Sequence, residues 1–307
     1  MKRVIFVSIC FLIAVQSTIA QDKRYEEWYL KTKDTISIFV KEIKSASKDT
    51  VIVVHGGFGA NHDYMLDAIK GLESKFYFIL YDQRGSLLSP APVRKLTFQA
   101  NVNDLYELVD ELKLKKVKLL CHSMGTLVAM EFASQHPEII SNIVLTGAIL
   151  PNAKAISDVF SEQMGKNLEF LANRPEVKEL KQYYIDKKAS LTDKENTRFW
   201  RIGFAEGNVY NIAKWNLLKG GQIYYNQQAA VMAETVNWDY DYRALLNNLN
   251  TTVIQGQYDF LDFNLSNYKA QITGYDKIKT KIIPDAGHNS WIDNSKLFRD
   301  YLMAALK

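Results

Sequence analysis

Apolar positions along this chain follow two periods that take turns. Ile36, Ile38 and Val40 alternate with polar neighbours, which predicts a half-buried strand over residues 35–43. A turn at Lys33-Asp34 joins it to a first strand over residues 27–30. Residues 51–54 and 76–81 are unbroken apolar runs, as expected of strands buried on both faces. A helix is predicted between them, around residues 63–73. Thr97 opens another, with Val102, Leu105, Leu108, Val109 and Leu112 on one face. Residues 117–120 then read as a buried strand, 124–135 as a helix ended by His136-Pro137, and 142–146 as a strand.

From about residue 151 to 236 this rhythm stops, and the segment is helical, polar and aromatic with no clear strand. Alternation resumes over 242–249, 251–255 and 279–283 and closes with a helix over 295–306. Strands alternating with helices predict an α/β chain with a mostly parallel central sheet flanked by helices. The expected organisation is a core of residues 21–150 and 237–307 with an inserted helical cap, or lid, at 151–236. A cap above the carboxyl ends of such strands would shape a ligand pocket. Phe199, Trp200, Phe204, Tyr210, Trp215, Tyr224 and Tyr225 give it an aromatic character. Which of them face a pocket and which form the cap's own core is open at this stage.

Residues 1–20 have the form of a secretory signal peptide: Lys2 and Arg3, an apolar stretch from Val4 to Val15, and Thr18-Ile19-Ala20 before Gln21. The apolar stretch is short for a membrane span, so an exported chain, periplasmic or secreted, is expected, with no stable membrane insertion after cleavage. The alternative is an uncleaved anchor. The net charge of +4 falls by two when Lys2 and Arg3 leave. Lysines interspersed with acids, as in residues 110–116, describe a solvated surface and argue against a nucleic-acid partner. Cys121 is then the one remaining cysteine, so the core must come from burial without an internal disulfide.

The most informative stretch is Cys121-His122-Ser123-Met124-Gly125, placed between a predicted strand and a predicted helix. A serine on such a sharp turn is the nucleophile elbow of α/β-hydrolases, where small neighbours permit strain and the hydroxyl is lifted from the sheet. Its base and acid should follow in the order acid, then histidine. His288 is the one histidine beyond residue 136, and it follows a predicted strand. Asp259 follows the strand before that and is the expected acid; Asp262, three residues on, is the rival and better suited to a helix cap. The oxyanion would meet backbone N–H groups of Met124 and, from His55-Gly56-Gly57-Phe58-Gly59, of Gly57. His55 is expected to brace that loop, His122 to be structural, and His62 and His136 to be surface or capping residues. Asp82 and Arg84 are expected to brace the site as a buried ion pair.

Three stretches carry a family resemblance. His55-Gly56-Gly57-Phe58-Gly59, Asp82-Gln83-Arg84-Gly85, and Gly256-Gln257-Tyr258-Asp259 with Gly287-His288 are similar to motifs of the proline iminopeptidase-like branch of the α/β-hydrolase superfamily. The resemblance implies an α/β-hydrolase fold and a serine hydrolase that needs no cofactor or metal. Its substrate would be a small molecule or short peptide, with an aminopeptidase as the preferred reading. Cap carboxylates would then bind the substrate's free amine, for which Glu206 and Glu234 are available, and Phe58 is a further candidate substrate contact. The departures are specific. Phe58 stands for a proline, Ser86 and Leu88 for smaller residues, and the cap lacks a Trp-x-x-Trp-Glu run. The elbow, with Cys121 and Met124, is more like those of carboxylesterases and monoacylglycerol lipases, the runner-up reading. A non-catalytic binding protein on this scaffold is disfavoured by the intact serine, acid and histidine. Oligomeric state is not written in the sequence.

Overall fold

The computed structural model describes residues 24–153, 158–219 and 225–307; the expected signal segment and Tyr224 lie outside them. Eight strands form one sheet: β1 (Tyr25–Lys31), β2 (Ser37–Ile43), β3 (Thr50–Val54), β4 (Tyr77–Tyr81), β5 (Val117–His122), β6 (Ile140–Thr146), β7 (Thr251–Gly256) and β8 (Lys279–Ile283). Their order is β1-β2-β4-β3-β5-β6-β7-β8. The pairings of β2 with β1 and β4 are antiparallel and all the others are parallel.

Period-two alternation sends the central strands' side chains into two cores. Ile52, Val54, Ile79, Leu119, Cys121 and Leu145 pack on one side, with α2 (Phe98–Glu111) and α3 (Met124–Gln135) above them. Val51, Val53, Phe78, Leu80, Leu120 and Val144 pack on the other. There they meet α1 (Met65–Ile69) and the C-terminal helix described below. Burial on both faces is why these strands read as apolar runs. The predicted helix at 63–73 is shorter than expected: a 3-10 turn, His62–Tyr64, leads into five-residue α1, and Gly71 (φ 88°) turns the chain beyond it.

Between β6 and β7 the described chain holds α4 (Asp158–Ala172), α5 (Pro175–Lys187), α6 (Asp193–Asn208) and α7 (Arg243–Asn248). A reciprocal cap between Thr192 and Glu195 starts α6. Val177, Ala205, Val209, Ile212 and Leu218 form a small core of their own. After β7 come α8 (Ser266–Gln271), α9 (Ser290–Asp293) and α10 (Ser295–Leu306), whose Phe298 and Leu302 fill the second core. Among the described residues no helix is long and apolar enough to cross a membrane.

The ion pairing around β4 differs from expectation. Arg84 does not pair with Asp82. Its Nε and Nη2 donate to Asp104 at 2.7 and 2.6 Å, and Nη1 and Nη2 donate to Asp34 at 3.0 and 3.2 Å. Asp82 instead accepts from the backbone N–H of His62 at 2.8 Å and of Leu88 at 3.0 Å, and its carboxylate lies 2.7 Å from His62 Nδ1. His62 is therefore a buried brace and not a surface residue. Burial alone would raise the Asp82 carboxyl; the His62 hydrogen bond and the neighbouring imidazoles outweigh it and hold the group low.

Candidate active site

Ser123 stands between the last residue of β5 and the first of α3, at φ 52° and ψ −129°. A non-glycine residue there is strained, and it is held by bonds on both sides. Its N–H donates to the Thr146 carbonyl at 3.0 Å, and its carbonyl accepts from Thr126 N and Oγ1 at 2.8 and 2.6 Å. The hydroxyl does not cap the helix. Gly125 is required because a Cβ there would lie 2.3 Å from the His55 carbonyl oxygen. A Cβ on Gly56 would sit 2.6 Å from that of Ser123. Cys121, by contrast, is absent from the positive-φ residues and its side chain is buried in the core, so β5 needs no glycine there.

His288 Nδ1 lies 2.9 Å from both carboxylate oxygens of Asp259, which is fully buried. Pairing Nδ1–H with the carboxylate leaves Nε2 as the basic nitrogen. The approach of the two loops is tight: a Cβ on Gly256 would fall 2.1 Å from the Gly287 carbonyl oxygen. Asp262 accepts from the backbone N–H groups of Asn267 and Tyr268 at 3.0 and 2.8 Å, as a helix cap does. The structure thus brings Asp259, not Asp262, to His288.

Ser123 and His288 line one cavity of about 200 Å³, together with Gly57, Tyr64, Phe204, Tyr225 and Phe260. No Ser123–His288 hydrogen bond is formed among the described residues; contacts of this kind commonly close only with substrate in place. Gly147 was not singled out by sequence, yet it clears the ring's path: at φ 51°, its Cβ would lie 2.6 Å from His288 Cε1. Its signal is a glycine immediately after β6. The Phe260 ring packs 4.6 Å from the His288 ring.

Tyr64 and His122 tie three loops together. Tyr64 Oη accepts from the Gly56 N–H and donates to His122 Nδ1, 2.8 Å away, and His122 Nε2 then donates to the His288 carbonyl at 3.2 Å. Burial, with the charge of His288, pushes His122 well below the usual imidazole value, so the ring is neutral as this pattern requires. His55 is likewise depressed by burial; its Nδ1 bonds the Gly56 carbonyl at 2.9 Å and its Nε2 accepts from Gln83 N at 3.0 Å. With the Gly56 amide occupied, Gly57, at φ 52°, is the other glycine of this loop on the cavity wall. Met124, as the first residue of α3, has no intrahelical acceptor for its own N–H.

The proposed substrate contacts of the cap fall elsewhere. Phe58 is buried, with its ring edge-on to Phe98 at 6.3 Å, and it does not line the cavity. Glu206 pairs with Lys181 at 2.7 Å beside a neighbouring groove, and Glu234 is exposed. Among the described residues the cavity around Ser123 has no carboxylate lining, and Lys219 is its one lysine or arginine. Of the cap aromatics, Phe204 and Tyr225 face the cavity, while Phe199 stacks on Tyr184 and Tyr210 on Tyr258.

The family model of the alpha/beta hydrolase fold matches residues 49–295, and the chain belongs to that family. A proline iminopeptidase of Clostridium botulinum is 31% identical over 108 residues, 34% of this chain and 37% of that protein, so the match spans little more than a third of the relative. Two solved structures share the fold across the chain. The proline iminopeptidase-related protein of Thermus thermophilus has a TM-score of 0.68 at 21% identity, covering 92% of this chain and 97% of that one. An esterase of Exiguobacterium antarcticum has a TM-score of 0.66 at 18% identity, covering 91% and 98%.

Proposed function

We propose that this chain is an exported serine hydrolase with Ser123 as nucleophile, His288 as base and Asp259 as its orienting acid, and that it acts on esters. In the first step Ser123 Oγ bonds to the ester carbonyl carbon while His288 Nε2 takes the hydroxyl proton. The oxyanion is met by the Gly57 and Met124 N–H groups. The intermediate then collapses, breaking the carbonyl–alkoxy bond, and His288 returns its proton to the leaving alcohol. A water molecule repeats the sequence on the acyl-enzyme, releasing the acid and restoring Ser123. The observation that carries the reading is His288, paired with buried Asp259, sharing a cavity with a strained, uncommitted serine.

The ester preference follows from the lining. A substrate ammonium brought into this largely apolar cavity would lose water without gaining an anion among the described residues. Partial sequence likeness to a proline iminopeptidase supports the second reading, an aminopeptidase. Prolyl and alanyl arylamides assayed beside p-nitrophenyl esters separate the two. The expected result is ester turnover that Ser123→Ala reduces by at least about 10³-fold, with little arylamide cleavage. Arylamide cleavage that outpaces the esters would reverse the ester reading, and undiminished turnover by Ser123→Ala would remove the triad. Export rests on the signal-like residues 1–20. A secreted or periplasmic product beginning at Gln21 by intact mass is expected, and a full-length product retained in cells would contradict it.

A further inference from the structure

A second, larger space adjoins the Ser123 cavity. It is a groove of about 740 Å³ between α4 and α6, within the size range of small-molecule sites. Phe204, Asn208 and Phe260 line both spaces, so the groove adjoins the cavity across these side chains, one of them adjacent to Asp259. Its walls are mainly apolar: Leu168 and Ala172 come from α4, and Phe199 and Trp200 from α6. Trp200 is 56% exposed and Leu168 38%, so both leave large apolar surface to water along this groove.

Two glycines shape this groove. Glycine is the poorest helix former after proline, yet α6 carries Gly203 and Gly207, one turn apart, both on the groove wall. Gly207 is explained by packing, since a Cβ there would lie 3.1 Å from Leu168 Cδ2. Gly203 is not: a Cβ there would meet nothing within 4 Å. Its missing side chain leaves space open and relieves no clash. The charges nearby do not call for an ionic ligand. Glu206 and Lys181 neutralise each other at 2.7 Å, and Glu169 is solvent-exposed.

We propose that this groove holds the aliphatic chain of the acyl group, so that the substrates are esters of medium-chain fatty acids. The proposal rests on Ser123 being the nucleophile. The scissile carbonyl sits at Ser123, the chain passes Phe204 and Phe260, and its far end lies along Gly203 between Trp200 and Leu168. Each methylene withdrawn from water adds to binding until the groove is filled.

The test compares kcat/KM for p-nitrophenyl decanoate and p-nitrophenyl acetate. The wild-type ratio is expected to exceed about ten, the cumulative effect of several buried methylenes. Gly203→Leu fills the open space and should cut that ratio at least tenfold through a higher KM for the decanoate. Its melting temperature should hold or rise, because leucine is the better helix former. Gly203→Ala gains the same helical preference with little bulk and should keep the ratio within about twofold of wild type. Leu168→Asp, on the opposite wall, should repeat the loss and serves if the leucine variant does not fold. A wild-type ratio at or below one overturns the proposal, as does a ratio unchanged in folded Gly203→Leu or Leu168→Asp. The two layers fail differently. Ser123-dependent turnover without chain-length preference removes only the groove, whereas turnover that survives Ser123→Ala removes the nucleophile.

Discussion

Ser123 occupies a backbone conformation that costs of order 1–3 kcal/mol, and bonds to Thr146 and Thr126 hold it there. The residue was legible because its neighbours obey a short steric rule within five positions. Asp259 was legible over Asp262 because it lies nearer the end of its strand, and the structure gives Asp262 the capping role that its position implied. Gly147 and Tyr64 were not legible, since each acts on a partner far along the chain. Separation along the chain also hid the true partners of Arg84 and His62: Asp104 and Asp82 lie 20 residues away and Asp34 lies 50, and they meet only through the fold. Gly147→Ala is the sharpest residue-level consequence. A Cβ 2.6 Å from His288 Cε1 must displace the imidazole, and φ 51° strains any side chain. The expected outcome is a fall in kcat/KM of about 100-fold or more, the scale of a misplacement of about 1 Å, with the far-ultraviolet circular dichroism unchanged. A variant of wild-type activity would show that the histidine does not need that space.

The elements were legible in proportion to how one-sidedly they are buried. Central strands covered on both faces announced themselves as apolar runs, and α2 did so through its buried stripe of Val102, Leu105, Leu108 and Val109. The segment 63–73 misled because its apolar spacing continues past the point where the helix stops. Ile69 and Leu72 are both buried, but the chain has turned between them at Gly71. The cap's helices were visible as elements while their docking was not. That docking depends on single polar groups: Asp293 accepts from the N–H groups of Gly287, Tyr210 and Asn211 at 2.8, 2.8 and 3.0 Å. One carboxylate thereby joins the His288 loop to the cap. Likewise, Asn167 Nδ2 on α4 donates to the carbonyl of Phe260, the residue after Asp259, at 3.2 Å. The absence of a Cβ contact at Gly203 has no sequence signature at all, since a helical glycine reads the same whether it faces a neighbour or a groove.

At the scale of the molecule, the sheet's carboxyl edge gathers the elbow, the acid loop and the histidine loop, and buried neutral imidazoles sit between them. His55 and His122 both have depressed values in the fold, mainly through burial. The sign follows directly. Below about pH 6.5 an unfolded histidine binds a proton that these buried rings still refuse. Stability is therefore fully present above that pH and declines as pH falls, by up to about 1.4 kcal/mol per unit per ring, until the folded rings titrate. Urea unfolding at pH 7.5 and 5.5 should show this loss, and His122→Gln should show a smaller one. Equal losses in the two proteins would mean that His122 is not held neutral.

The central claim, that Ser123 is the nucleophile activated by His288, is tested most directly by a fluorophosphonate that traps such serines covalently. Intact mass followed by peptide mapping is expected to find one adduct, on Ser123, formed far more slowly in His288→Ala, with ester turnover lost in step with labelling. An unlabelled protein that still hydrolyses esters, or an adduct mapped to another residue, would contradict it.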